Sequence, residues 1–89
     1  MFRLWAKAYE GGRMVKDMVV EDPSSDSRTA KIFHAITKIC HEMDLSEPLW
    51  LDSNIREFKR ISKTRFGRDN FIDGIDFDFL EIHIIEEDF

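Results

Sequence analysis

Apolar and polar residues alternate with a period near two at both ends of this chain and recur at helical spacing in the middle. The first pattern covers residues 2–22. Two runs rich in β-formers, Phe2 to Glu10 and Arg13 to Asp22, flank Gly11-Gly12. That dipeptide supplies the positive φ angles of a tight primed turn, so the segment is expected to be a β-hairpin. A two-residue loop sets the register. Ala8 then faces Val15, Ala6 faces Asp17 and Leu4 faces Val19; on the opposite side Tyr9 pairs with Met14, Trp5 with Met18 and Arg3 with Val20. Both faces carry apolar groups, the larger ones on the side of Trp5, Tyr9, Met14 and Met18. A sheet with one solvated face should alternate more cleanly. Either helices cover both faces in part, with these residues as ordinary core, or one face meets a partner.

Pro23 ends the hairpin, and Ser24-Ser25-Asp26-Ser27 offers several N-caps for a helix over about 26–44. Ile32, Ile36, Ile39 and Met43 follow i, i+4, i+7, i+11 spacing, and Phe33 and Cys40 widen the stripe. Lys31 and the histidines His34 and His41 fall away from it. Pro48 marks a loop, with a short extended piece at Leu49-Trp50-Leu51. Asp52 or Ser53 can cap a second helix over about 53–62, with Ile55, Phe58 and Ile61 as its apolar edge. Lys63 to Phe66 reads as extended, and Asp69 as the cap of a turn carrying Phe71 and Ile72. In the last strand, about 77–86, Leu80, Ile82 and Ile84 alternate against Glu81 and His83. Phe77 and Phe79 lie on the other parity, which suggests a bend near Phe79-Leu80. The acidic end, 86–89, is expected to fray. The predicted fold is α+β: an antiparallel hairpin, two helices packed on the sheet, and a C-terminal strand joining it.

With 89 residues, 43% of them hydrophobic and 35% charged, the chain has room for one domain and one core. A chain of this length buries roughly 60–65% of the surface its unfolded form exposes, enough to fold alone with little margin. No apolar run approaches a membrane span, no leader pattern follows Met1, and a lone cysteine fits a reducing compartment. A cytoplasmic location is therefore expected.

The net charge of −5 hides a polarised layout. Residues 55–68 carry Arg56, Lys59, Arg60, Lys63, Arg65 and Arg68 against Glu57, whereas residues 69–89 carry eight carboxylates and neither Lys nor Arg. Steps of three and four would align Arg56, Lys59, Arg60 and Lys63 on one helical flank, with Arg65 and two phenylalanines nearby. Cations beside aromatic rings are the ingredients of single-stranded nucleic-acid binding. Against this, Phe58 suits the core, and the acidic tail can fold back and neutralise the strip.

Candidate chemistry is sparse. His34 and His41 are two turns apart, too far to share one metal, and His41 with Asp44 or Cys40 with Asp44 makes only a pair. Cys40 lies on the apolar stripe, where a thiol acts as a small hydrophobe. Asp76-x-Asp78 can hold Mg²⁺ when phosphates complete its shell, but a solvated strand edge explains it equally well. No Gly-rich phosphate loop, nucleophile elbow or zinc helix is present. Neither catalysis nor a cofactor is expected.

The segments Leu49-Trp50-Leu51-Asp52, Lys63-Thr64-Arg65-Phe66 and Ile75-Asp76-Phe77-Asp78-Phe79-Leu80-Glu81-Ile82 resemble a family of short bacterial cytoplasmic proteins of unknown function. Arg3-Leu4-Trp5, Val15-Lys16-Asp17 and Cys40-His41-Glu42 resemble its first half. The resemblance implies a free-standing bacterial domain and brings no activity with it. The expectation from the residues is a non-catalytic interaction or regulatory module, which could self-associate through Trp5, Tyr9, Met14 and Met18. The alternative is a nucleic-acid-binding protein using Arg56, Lys59, Arg60, Lys63 and Arg65.

Overall fold

A computed structural model describes residues 1–87. Strands β1 (Phe2–Glu10) and β2 (Arg13–Asp22) form the hairpin, followed by helices α1 (Arg28–Glu42) and α2 (Asp52–Ile61), strand β3 (Lys63–Gly67), a 3₁₀ turn at Arg68–Asn70 and strand β4 (Phe79–Glu86). The four strands make one antiparallel sheet in the order β2-β1-β4-β3. This is the α+β arrangement expected, with the C-terminal strand beside the hairpin. No helix among the described residues is long and apolar enough to cross a membrane.

Period-two alternation decides which side of the sheet each residue serves. Phe2, Leu4, Ala6 and Ala8 of β1, Phe66 of β3, and Leu80, Ile82 and Ile84 of β4 are all buried in one cluster with Ile32, Ala35, Ile36, Ile39, Cys40 and Phe58 from the helices. Both helices therefore lie on one face, and none of the described elements covers the other. Helix α1 starts where the Ser27 hydroxyl accepts from the Ala30 N–H at 3.2 Å.

The hairpin departs from the two-residue-loop register. Gly11 and Gly12 do take positive φ, 58° and 77°, and Glu10 faces Arg13 and Tyr9 faces Met14 as expected. Val15 is then an extra residue opposite the Ala8/Tyr9 step, so Ala8 faces Lys16, Ala6 faces Met18, Trp5 faces Val19 and Leu4 faces Val20. A β-bulge shifts every later pair by one and so exchanges their faces. It moves Val20 into the core and Met18 against it, which the uninterrupted register could not do.

Other differences have similarly local causes. Phe33, placed on the α1 stripe by spacing, is 49% exposed and rests against Trp50, while Lys31 is buried with its ammonium near the Phe2 ring. In α2 only Asn54 and Phe58 are buried; Ile55 and Ile61 remain open. The cap position is Leu51, not Asp52 or Ser53, and the Asn54 side-chain oxygen accepts the Leu51 N–H at 3.1 Å. The last turn comes before Phe71 rather than carrying it. Phe77 precedes β4 and is buried. The irregularity in β4 lies at Ile85, between the Leu4–Ile84 and Arg3–Glu86 pairs, rather than at Phe79-Leu80. At the acidic end, Glu86 belongs to β4 and Glu87 bonds Arg28; the expectation of fraying at residues 88–89 lies outside the described residues.

Two buried asparagines join α2, β3 and the connecting loops. Asn54 Nδ2 donates to the Thr64 hydroxyl and to the Arg65 carbonyl, both at 2.9 Å, while Asn70 Nδ2 donates to Asn54 Oδ1 at 2.8 Å and to the Leu49 carbonyl at 2.7 Å. Asn70 Oδ1 accepts the Gly67 N–H at 3.0 Å. Every side-chain polar atom of the pair is thus partnered, which is the condition under which buried amides are tolerated.

Candidate functional site

The uncovered sheet face is built from the residues that alternate against the core. Cross-strand pairing arranges them in rows. Glu21, Arg3 and Glu86 form one row; Val19, Trp5, His83 and Lys63 the next; Asp17, Lys7, Glu81 and Arg65 the third; Met14, Tyr9 and Phe79 the last. Aromatic rings and charges thus alternate along β1, and in the first and third rows each charged group sits beside a group of opposite sign on the neighbouring strand.

The third row is the electrostatic centre. Glu81 is 4% exposed although no described element covers this face; the long stems of its neighbours shield it. Lys7 Nζ lies 2.9 Å from Glu81 Oε2 and Arg65 Nε 3.1 Å from Oε1. Burial alone would raise the Glu81 pKa, but the hydrogen bonds and charges of Lys7 and Arg65 outweigh it and hold the carboxyl below the ordinary range. His83 moves the same way for a different reason: burial first, then Lys63 and Lys7, disfavour the imidazolium, with Glu81 opposing.

The rings are tied into this lattice. Trp5 Nε1 donates to Asp17 Oδ2 at 2.9 Å, and Lys7 Nζ lies 4.1 Å from the Trp5 ring centroid. Tyr9 stacks on Phe79 at 5.1 Å, and the Arg65 guanidinium lies 4.5 Å from the Phe79 ring. Trp5, Tyr9 and Phe79 are each half-buried. They are held in place by their neighbours yet present one side to solvent.

Of the four hairpin residues singled out by sequence, Trp5, Tyr9 and Met14 share this face. Met18 does not: the Val15 bulge turns it to the helix side, and Val19 stands opposite Trp5 instead. Phe79, Lys7, Glu81 and His83 complete the face and were not predicted as site residues. Their signal was present in the parity of β4, where Glu81 and His83 oppose Leu80, Ile82 and Ile84. What sequence lacked was the alignment of β4 with β1.

The five basic residues proposed as a strip are divided. Arg56, Lys59 and Arg60 are exposed on α2, on the helix side of the sheet, and make no ion pair among the described residues. Lys63 and Arg65 are on the open face, because α2 ends at Ser62 in a left-handed conformation, φ 54°. Of this set the acidic C-terminal segment neutralises only Arg65, through Glu81; its Asp78 lies 3.8 Å from Arg68, outside the set.

The remaining candidates are occupied structurally. Asp78 Oδ2 accepts the Gly11 N–H at 2.9 Å and so ties the segment just before β4 to the hairpin turn. Burial, with a contribution from Glu47, pushes the buried Cys40 thiol up to about 11, which removes it as a nucleophile near neutrality. His34 is exposed, 3.8 Å from Asp26. Among the described residues no three His, Cys, Asp or Glu side chains converge as a metal site. No protein-family model, curated protein or solved structure matches the chain.

Proposed function

We propose that this protein is a non-catalytic interaction module whose docking surface is the uncovered sheet face, and that the partner is a second copy of the chain. The observation that carries the reading is the character of that face. Trp5, Tyr9 and Phe79 are partly exposed and conformationally restrained. Rigid aromatics and arginine supply most of the binding energy in protein interfaces.

Charge balance favours self-association there. The face carries Arg3, Lys7, Lys63 and Arg65 against Asp17, Glu21, Glu81 and Glu86, four of each sign, whereas the whole chain carries −5. Two copies of an acidic protein repel, and a neutral face is where they can meet at the least electrostatic cost. The same neutrality offers a phosphate backbone no net attraction, which weakens the nucleic-acid alternative.

Size sets the strength. Three strand spacings of about 4.8 Å and eight residues at about 3.4 Å enclose roughly 400 Å², against about 800 Å² per partner in a standard interface. The complex is therefore of the weak, transient class. Light scattering across a micromolar-to-millimolar series should show mass rising toward a dimer in the wild type, with the rise reduced in Trp5→Ala. A wild type that stays monomeric throughout would remove the homodimer; a heterologous partner lost on Trp5→Ala would redirect the proposal to a different protein.

A further inference from the structure

A second surface, on the other side of the molecule and independent of the sheet face, has the features of a peptide-binding groove. It lies between α1 and α2. Phe58 and Trp50 form its floor, Phe33 and Ile55 its walls, and Arg28 and Lys59 stand at its mouth, around about 250 Å³. The floor is rigid: Trp50 packs edge-on against Phe58 at 5.5 Å and against the fully buried Phe66 at 5.0 Å. The walls are open to solvent, Phe33 by 49% and Ile55 by 38%. Spacing along α1 would have sent Phe33 inward, and the fold instead leaves it on the surface opposite Ile55.

The volume argues for a side-chain anchor. Small-molecule sites enclose roughly 300–1,000 Å³, and this groove is smaller, apolar and open along its length. Two helices flanking an apolar channel suit an amphipathic helix whose anchors recur at i, i+3, i+4 and i+7. Charge selects the kind of helix. Lys59 at the mouth and Arg56, one turn before it on α2, lack ion-pair partners among the described residues. Arg28 at the same mouth already holds a carboxylate, Glu87 Oε1, 2.6 Å from its Nε. The α2 side of the rim is thus cationic on an otherwise acidic chain, while the α1 side shows, through Arg28 and Glu87, that a carboxylate fits there.

We propose that the α1/α2 groove binds an acidic amphipathic helix of another protein, with a bulky apolar anchor seated between Phe33 and Ile55 and Asp or Glu side chains set against Lys59 and Arg56.

The test uses short helical peptides with leucine at the anchor positions and Glu, Gln or Lys at all others, titrated into the full chain and followed by backbone amide chemical shifts. The Glu peptide should perturb α1 and α2 while leaving β1 unmoved, and should bind about tenfold or more tightly than the Gln peptide at low salt, with that advantage shrinking as salt is raised. Ile55→Glu, at a position 38% exposed, should abolish binding while leaving the amide spectrum of the sheet that of the folded wild type, and Lys59→Glu should reverse the preference between the Glu and Lys peptides. Trp5→Ala should leave binding unchanged, which separates this result from the fate of the sheet-face proposal. Absence of binding by all three peptides, or equal binding of the Glu and Lys peptides, would overturn the inference. So would much tighter binding by a chain ending at Glu87, because that would assign the groove to Asp88 and Phe89 of the same chain.

Discussion

The two faces of the sheet are built from the same strands by the same alternation, yet they solve opposite problems. On the helix-covered face β1 contributes Phe2, Leu4, Ala6 and Ala8, all at most 2% exposed. On the open face it contributes Arg3, Trp5, Lys7 and Tyr9, tied together by ion pairs and ring contacts. The first is held by exclusion of water and close packing. The second is held by a charge lattice around Glu81, which keeps large rings ordered without burying them. Order on the open face is therefore electrostatic in origin and should respond to pH and to charge removal, while order on the covered face should respond to volume.

Phenylalanines on adjacent strands give the strongest contrast. Phe66→Ala empties a fully buried position beneath Trp50 and should cost about 3–5 kcal/mol in chemical denaturation. Phe79→Ala, on the open face, loses a stacking contact with Tyr9 and Arg65 and should cost about 1 kcal/mol. Equal costs would show that the open face is core after all.

Asn54→Ala sharpens the comparison on the covered side. It strands the Thr64 hydroxyl, the Asn70 amide and the Leu51 N–H, and at about 1–3 kcal/mol per buried unsatisfied group, reduced where water reaches, a total loss of about 3 kcal/mol is expected. Asn54→Asp, which cannot donate to Thr64 or the Arg65 carbonyl, should not rescue it.

On the open side, Glu81→Gln leaves Lys7, with its side chain 11% exposed, without its counter-charge. The expected loss is about 1–2 kcal/mol at neutral pH, accompanied by a broadened indole signal from Trp5 as Lys7 is released from its place over the ring.

The smallest effect is a pH slope with a definite sign. His83 in the fold resists a proton that the unfolded chain accepts near 6.5, so stability falls as pH drops below that value. Glu81 stays ionised in the fold below the 4.5 at which the unfolded carboxyl titrates, so its contribution, present above 4.5, is lost as pH falls further. His83→Gln should flatten the upper part of the profile and leave the lower part, whereas Glu81→Gln should flatten the lower part and, because the Glu81 charge opposes the His83 shift, leave the upper part at least as steep.

The fold was legible where local signals were strong. Gly11-Gly12, the α1 stripe and the alternation of Leu80, Ile82 and Ile84 each carried their element. Legibility failed where one residue alters a count. Val15 bulges, and every pair beyond it moves by one, so Met18 exchanges places with Val19; nothing in the hairpin sequence marks the bulge, and the burial of Val20 decides it. The basic strip failed for a similar reason: helical spacing from Arg56 to Lys63 is broken at Ser62, a serine in a conformation usually given to glycine. The asparagine network escaped notice because a polar residue at a buried position reads as surface until its partners, here sixteen residues apart, are brought together. The open face was half legible, since its rings and charges were visible, but their assembly depends on β4 lying against β1.

The central claim, that two copies meet through the open sheet face, is tested most directly by isotope-filtered NMR on an equal mixture of labelled and unlabelled protein at high concentration. Intermolecular contacts from the ring protons of Trp5, Tyr9 and Phe79 are predicted, absent from Phe33 and Ile55. Contacts confined to the helices, or no intermolecular contacts at any concentration, would contradict it.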